Sequence, residues 1–295
     1  MVTTVDTPSL EDVDDFDIVG WVQKLNIEPK HQDILVQACR VSADAVNRGG
    51  NGFNWGDRTN CYLIGLEIAA TLNTLNADHE TLLAAILYRC VREGRLVKDY
   101  VAQHFGETVA QLIDGVEQMD AVTIGIDTDE GAILGQSQSQ VDNLRRMLIT
   151  IIDDVRVVLL KLAERISALR NLKPYPERAR KVAAEVTAIF SPLAHRLGVG
   201  HLKWELEDLS FRYSNPAEYS RIAKLLDGKR LDRQSYIEKA IDTLGVELEK
   251  AGIEADINGR IKHIYSIWRK MQRKQIPFSE VYDIRAVRVL SLIHI

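Results

Sequence analysis

Cysteine is scarce in this 295-residue chain. Its three copies, Cys39, Cys61 and Cys90, sit in apolar, helical contexts without CxxC spacing. So sparse and odd a set argues against a disulfide frame or a zinc-thiolate site, and for reduced thiols in a cytoplasmic protein. Long uncharged apolar runs are absent too and the N-terminus is acidic, so neither a signal peptide nor a membrane span is expected. There is no strong charge excess: 42 acidic residues stand against 37 basic ones, a formal net charge of −5. That balance argues against direct nucleic-acid binding over the whole surface, while leaving room for a local basic site. No internal repeat is evident.

The length allows one large domain or two ordinary ones. Residues 1–17 carry Asp6, Glu11, Asp12, Asp14, Asp15 and Asp17 with little to bury, and read as a disordered acidic leader. Helical periodicity starts near Ile18 and returns over 31–46. The run Arg48-Gly49-Gly50-Asn51-Gly52 is a loop. Asp57 or Thr59 is the expected cap of a helix carrying Leu63, Leu66, Ile68 and Leu72. Another follows Asp78, with shorter ones over 96–104 and 106–117. Residues 121–140, rich in Gly, Ser, Gln and Asp, read as a surface loop. The pattern resumes through Val155–Leu169, turns at the prolines Pro174 and Pro176, and continues over 177–196, 201–213, 216–226 and 233–251. Residues 18–195 therefore read as an all-helical domain and 196–251 as a helical connector.

The period then changes. Ile253, Ala255 and Ile257 alternate with Glu254, Asp256 and Asn258, the signature of a strand that Gly259 breaks. From Lys262 the spacing is helical: Ile264, Ile267, Trp268 and Met271 form one apolar stripe, with Lys262, Ser266, Arg269 and Arg273 opposite and Lys270 beside them. Pro277 follows the helix end, and Ile284 to Leu290, punctuated by Arg285 and Arg288, reads as a second strand able to pair in parallel with the first. By spacing alone, the basic face is a solvated one or a cradle for a polyanion.

The strings GRIKHIYSIWRKMQRK and EVYDIRAVRV resemble the opening of the synthetase domain of the long RelA/SpoT homologues, with Ile261 where that family has proline. Those enzymes transfer pyrophosphate from ATP to the 3′ hydroxyl of GTP or GDP, making (p)ppGpp. The resemblance implies a truncated start of an α/β nucleotidyltransferase-like synthetase domain over 252–290. It also implies that Arg260, Lys262, Ser266 and Lys270 hold ATP phosphates, that His263 flanks the nucleotide, and that Arg288 adds a contact. Asp283 then holds Mg²⁺; otherwise it is a strand-entry residue paired with Arg285. Lys262 and Ser266 are expected one turn apart on a helix face, with Arg260 beside N-terminal amides that favour anions.

The helical portion resembles the HD-type hydrolase domain of the same family, which uses a metal ion, usually Mn²⁺, to remove the 3′ pyrophosphate. Position by position, the first metal histidine falls on Ile64, the His-Asp pair on Tyr88-Arg89, and the catalytic Glu-Asp pair on Arg92-Glu93. The last ligand, in the family's LADRLHN, becomes Glu164 in LAERISA, and the Asn becomes Ala168. Ile64 has no lone pair, Tyr88 is a poor ligand near neutral pH, and Arg89 carries a fixed positive charge. The fold class expected is thus mainly α, with a degenerate hydrolase domain of the RelA branch that holds no Mn²⁺. Glu164 is a lone ligand or a partner of Arg165, Arg89 or Arg92.

After Leu290 the residues Ser291 to Ile295 do not resemble the family and read as a non-family tail, while the family's guanine platform, later glutamate and ribosome-coupling C-terminal domains have no counterpart here. The expectation is a fragment inactive by itself. An active HD phosphohydrolase and a non-catalytic regulatory module are the alternatives.

Overall fold

A computed structural model describes residues 6–9, 15–48, 60–127, 154–227 and 230–291; the side chains of 121–127, 227, 230–236, 260, 261 and 285 lie outside that description. Most of the expected leader, the 121–140 loop beyond Asp127, most of the glycine-rich loop, the proposed caps Asp57 and Thr59 and residues 292–295 also fall outside it. The chain divides into two compact units, Met1–Leu206 and Glu207–Ile295.

The first unit is helical: α1 (Ile18–Gln23), α2 (Gln32–Ala45), α3 (Cys61–Asn73), α4 (His79–Arg92), α5 (Lys98–Phe105), α6 (Glu107–Asp127), α7 (Val155–Asn171), α8 (Pro176–Glu185), α9 (Ser191–Arg196) and the start of α10 (Gly200–Ser214). Asn60 caps α3 by accepting from Leu63 N at 2.8 Å, a role the sequence suggested for Asp57 or Thr59. Asp78 caps α4 through Thr81 N at 2.8 Å. Helix α3 is apolar on nearly every side and is correspondingly buried, as are residues 81–91 of α4 and 160–169 of α7. Gly65 makes the α3–α4 contact possible, since a Cβ there would lie 2.4 Å from Ile86 O. The single helix expected over 177–196 is divided by a π turn at Val186–Phe190. Pro192 lacks an N–H and its ring crowds the carbonyl four residues back, and the wider turn relieves both.

The second unit holds the rest of α10, then α11 (Pro216–Asp227), α12 (Arg230–Lys250), β1 (Ala255–Ile261), α13 (Ile264–Lys274), two 3₁₀ turns and β2 (Arg285–Ser291). The strands pair antiparallel, Ala255 with Ser291 through Ile261 with Arg285, which corrects the parallel-capable reading. Lys262 N donates to Ile284 O at 3.1 Å, so the chain leaves β1 and enters β2 at the same end of the sheet. The helical excursion between them is an enlarged hairpin connection and not a crossover. Gly259 does not break β1: it lies within the strand, where a Cβ would come 2.4 Å from Ile237 Cγ2 of α12. The apolar stripe of α13 packs on α11, where Ile222, Leu226, Ile267, Met271 and Val281 form a buried cluster.

Candidate functional site

In the helical unit, the residues that the resemblance sets at the family's metal positions come from α3, α4 and α7. Ile64 and Ala168 are buried and offer only methyl and methylene groups. Tyr88 Oη donates to Asp120 Oδ2 of α6 at 2.8 Å. Burial pushes its phenol well above the ordinary range, so it serves as a neutral donor. Arg89 is fully buried and pairs with Glu93 at 3.0 Å, and Arg95 holds the other oxygen of Glu93 at 2.9 Å.

Glu164 is buried among cations. Arg165 forks onto it at 2.7 and 3.0 Å, Lys161 Nζ reaches it at 2.8 Å, and Arg92 stands 3.8 Å away. Of the expected partners, Arg165 and Arg92 are thus present, while Arg89 turns to Glu93. Arg92 and Lys161 both also contact Asp120, and Arg165 binds Glu185 at 2.9 Å. Burial works against the Glu164 carboxylate, but Arg165 and Lys161 outweigh it and hold its pKa far below the usual range. Burial pulls Lys161 down to about 7, with Arg165 adding to that and Glu164 opposing it. Arg92, Lys161 and Arg165 face Asp120, Glu164 and Glu185, three charges of each sign. This donor set does not fit a transition metal, because its carboxylates are already engaged by the permanently charged guanidinium groups of Arg92 and Arg165. Among the described residues, no group of three or more His, Cys, Asp or Glu is placed to hold a metal.

Asp120, Lys161 and Glu185 were not singled out from the sequence. Lys161 carried one available signal, a charge between Leu160 and Leu162 on a helix otherwise buried. Ser167, beside Ala168, donates to Glu67 at 2.6 Å and so has a structural partner.

In the second unit, Lys262 lies between β1 and α13, not on the helix face expected for it. Its Nζ sits 2.7 Å from Asp283 Oδ2, and Lys270 Nζ from α13 reaches Asp283 Oδ1 at 2.6 Å. Those two hydrogen bonds, Lys262 first, lower the Asp283 carboxyl to about 2. All three groups are partly exposed, at 19%, 20% and 48% for Lys262, Lys270 and Asp283. Asp283, open on the question of its partner, pairs with these two lysines; the side chains of Arg285 and of Arg260 lie outside the described residues. The backbone of Arg260 is in β1, away from the first turn of α13. Ser266 is half-buried in that turn, and Arg288 is exposed on β2 opposite Asn258.

The N-terminus of α13 corrects a further expectation. Its amides were expected to favour an incoming anion, but Asp208 of α10 already accepts from Tyr265 N at 2.8 Å and from Ile264 N at 3.3 Å. The same carboxylate lies 3.4 Å from His263 Nδ1. What remains is two ammonium groups around one ionised carboxylate, able to meet phosphate oxygens. Each Asp283 oxygen accepts from one lysine, but the carboxylate is half exposed where Glu164 is sealed, so lone pairs remain open to solvent, as a Mg²⁺ bound beside phosphates through one or two protein oxygens requires.

Comparison with known proteins matches the HD domain to residues 38–200 and the region found in RelA/SpoT proteins to residues 259–293. The second match runs into the stretch expected to be a tail. A GTP pyrophosphokinase of Photobacterium angustum (strain S14 / CCUG 15956) is 41% identical over 280 residues, 94% of this chain and 36% of that protein. A GTP pyrophosphokinase of Escherichia coli (strain K12) is 48% identical over 228 residues, 77% of this chain and 30% of that protein. A guanosine-3′,5′-bis(diphosphate) 3′-pyrophosphohydrolase of Haemophilus influenzae (strain ATCC 51907 / DSM 11121 / KW20 / Rd) is 38% identical over 224 residues, 76% of this chain and 32% of that protein. The chain thus spans about a third of the length of these relatives. With the HD domain matched over more than half of its residues and the RelA/SpoT region opening at Gly259, the chain belongs to the RelA/SpoT family.

Proposed function

We propose that these residues are the N-terminal part of a RelA-branch GTP pyrophosphokinase whose hydrolase domain has lost its chemistry. The observation that carries this reading is the buried ion network itself: Glu164, the one ligand-type side chain left, is held by Arg165, Lys161 and Arg92. In active form the protein transfers pyrophosphate from ATP to GTP or GDP. Such transfer asks little covalent chemistry of the protein and much positioning and charge neutralisation. Lys262 and Lys270 meet ATP phosphates, Ser266 and Arg288 are the further contacts that the family resemblance implies, and Asp283 is the residue that would hold Mg²⁺. When bound, that ion supplies neutralisation of phosphate charge. Coupling to the ribosome belongs to parts of the longer protein, and residence in the cytoplasm follows from that partner; among the described residues no helix is long and apolar enough to cross a membrane.

The 295 residues alone supply one side of such a site, and by themselves they make no (p)ppGpp. Labelled ATP and GTP incubated with the purified chain test this directly: (p)ppGpp above background, lost in Asp283→Ala, would overturn it. A hydrolase is the second reading, favoured by the similarity to the Haemophilus influenzae pyrophosphohydrolase. Release of pyrophosphate from ppGpp in the presence of Mn²⁺ would establish it and sink the first.

A further inference from the structure

The sequence around α13 gives that helix no cap of its own. His263 stands at the N-cap position, its side chain makes no capping hydrogen bond to the helix amides, and the first turn holds no acidic residue. A helix start leaves several amides unsatisfied and a partial positive charge, so an isolated segment of this kind frays or recruits an anion. Here the anion is internal. Asp208, 57 residues before Tyr265, places one oxygen on Tyr265 N and the other on Ile264 N and near His263 Nδ1. One turn further along α10, Phe211 is buried and packs its ring on Trp268 and Tyr265, at centroid distances of 4.7 and 5.7 Å. The end and the flank of α13 are therefore gripped by consecutive turns of one helix. Beyond this grip, residues 262 and 270 bring their ammonium groups together on Asp283.

We propose that Asp208 is a positioning residue of the nucleotide site: by capping α13 and orienting His263 it fixes Lys270 against Lys262 and Asp283, and it closes the helix N-terminus to phosphate. Phosphates are thereby directed to the lysine pair and away from the helix pole. The role needs a hydrogen-bond acceptor at this place more than it needs a negative charge, because two main-chain amides are its principal contacts. The inference rests on the assignment of Lys262, Lys270 and Asp283 to ATP phosphates.

The test is binding of the non-hydrolysable analogue AMP-PNP with Mg²⁺ to the 295-residue chain, by calorimetry, with folding followed by circular dichroism. Asp208→Ala weakens binding by about tenfold, the order of effect that loss of a helix cap has on an equilibrium it supports. Asp208→Asn, whose one acceptor oxygen keeps the shorter bond from Tyr265 N and gives up the longer one from Ile264 N, weakens it less than Asp208→Ala does. If Asp208→Ala does not fold, Asp208→Glu, whose oxygens are displaced by a methylene, must bind more weakly than Asp208→Asn. Equal binding by wild type and a folded Asp208→Ala overturns the positioning role, and so does an Asn variant as weak as the Ala variant. Lack of binding by the wild type, or binding that Lys270→Ala leaves unaltered, instead sinks the ATP-site assignment and this inference with it.

Discussion

Lys161 Nζ lies 2.8 Å from Glu164 Oε2, one helical turn away, with both side chains wholly sealed from solvent. Charges are taken out of water at high cost, and only close pairing with further hydrogen bonds offsets it. Glu164 accepts from Lys161 and Arg165, so it is the anion that both cations share. Glu164→Ala leaves two buried cations short of a partner and is expected to cost about 3–5 kcal/mol. Urea denaturation measures this, and a loss under about 1 kcal/mol would show that Asp120 and Glu185 suffice.

Gly65→Ala is expected to destabilise the helical unit by about 1–3 kcal/mol or more. The added Cβ meets a backbone carbonyl, Ile86 O, at 2.4 Å, and backbone cannot rotate aside as a side chain can. The two helices must separate, which opens an interface between two largely buried helices. A thermal midpoint unchanged from wild type would show that α3 and α4 approach less closely than this.

Much of the helical layout was legible because helices advertise themselves locally. Asp78 before an apolar run marks a cap, but Pro192, inside a run that reads as one helix over 177–196, passed without sign of the π turn that precedes it. The strand direction was not legible, since alternation in 253–258 says nothing of which end of the partner it meets; the bond from Lys262 N to Ile284 O decides it. Gly259 read as a breaker because a glycine in a strand has two uses, and only the approach of Ile237 tells which applies. The metal-position residues were found by pattern, but Asp120 and Asp208 act across long sequence separations. Neither has a neighbour in the sequence that betrays its task.

The hydrolase-like unit is expected to take up no Mn²⁺. Three of the positions are Ile64, Tyr88 and Arg89, and the fourth, Glu164, already satisfies its oxygens with cations. A histidine introduced by Ile64→His changes nothing in this respect, because Arg165 and Lys161 still hold Glu164 and Arg89 keeps its charge beside Glu93. Elemental analysis after dialysis checks both proteins; about one chelator-removable ion per chain in either would contradict the expectation.

Asp283 ties a pH effect to a ligand effect. Its folded pKa, about 2, is depressed below the ordinary aspartate value of about 4. The group therefore contributes stability that is fully present above pH of about 4 and is lost as pH falls toward 2. With the side chain 48% exposed, that contribution stays below about 1 kcal/mol. It should emerge as the difference between wild type and Asp283→Asn, flat above pH of about 4 and closing below it. The same substitution raises the local charge of the lysine pair from one net positive to two. Inorganic pyrophosphate without Mg²⁺ is then expected to bind Asp283→Asn several-fold tighter than wild type, while Mg²⁺, having lost its carboxylate, no longer strengthens binding. Calorimetry with and without the ion separates the two effects. If pyrophosphate binds both proteins equally and Mg²⁺ helps both alike, the lysine pair is not where phosphate goes.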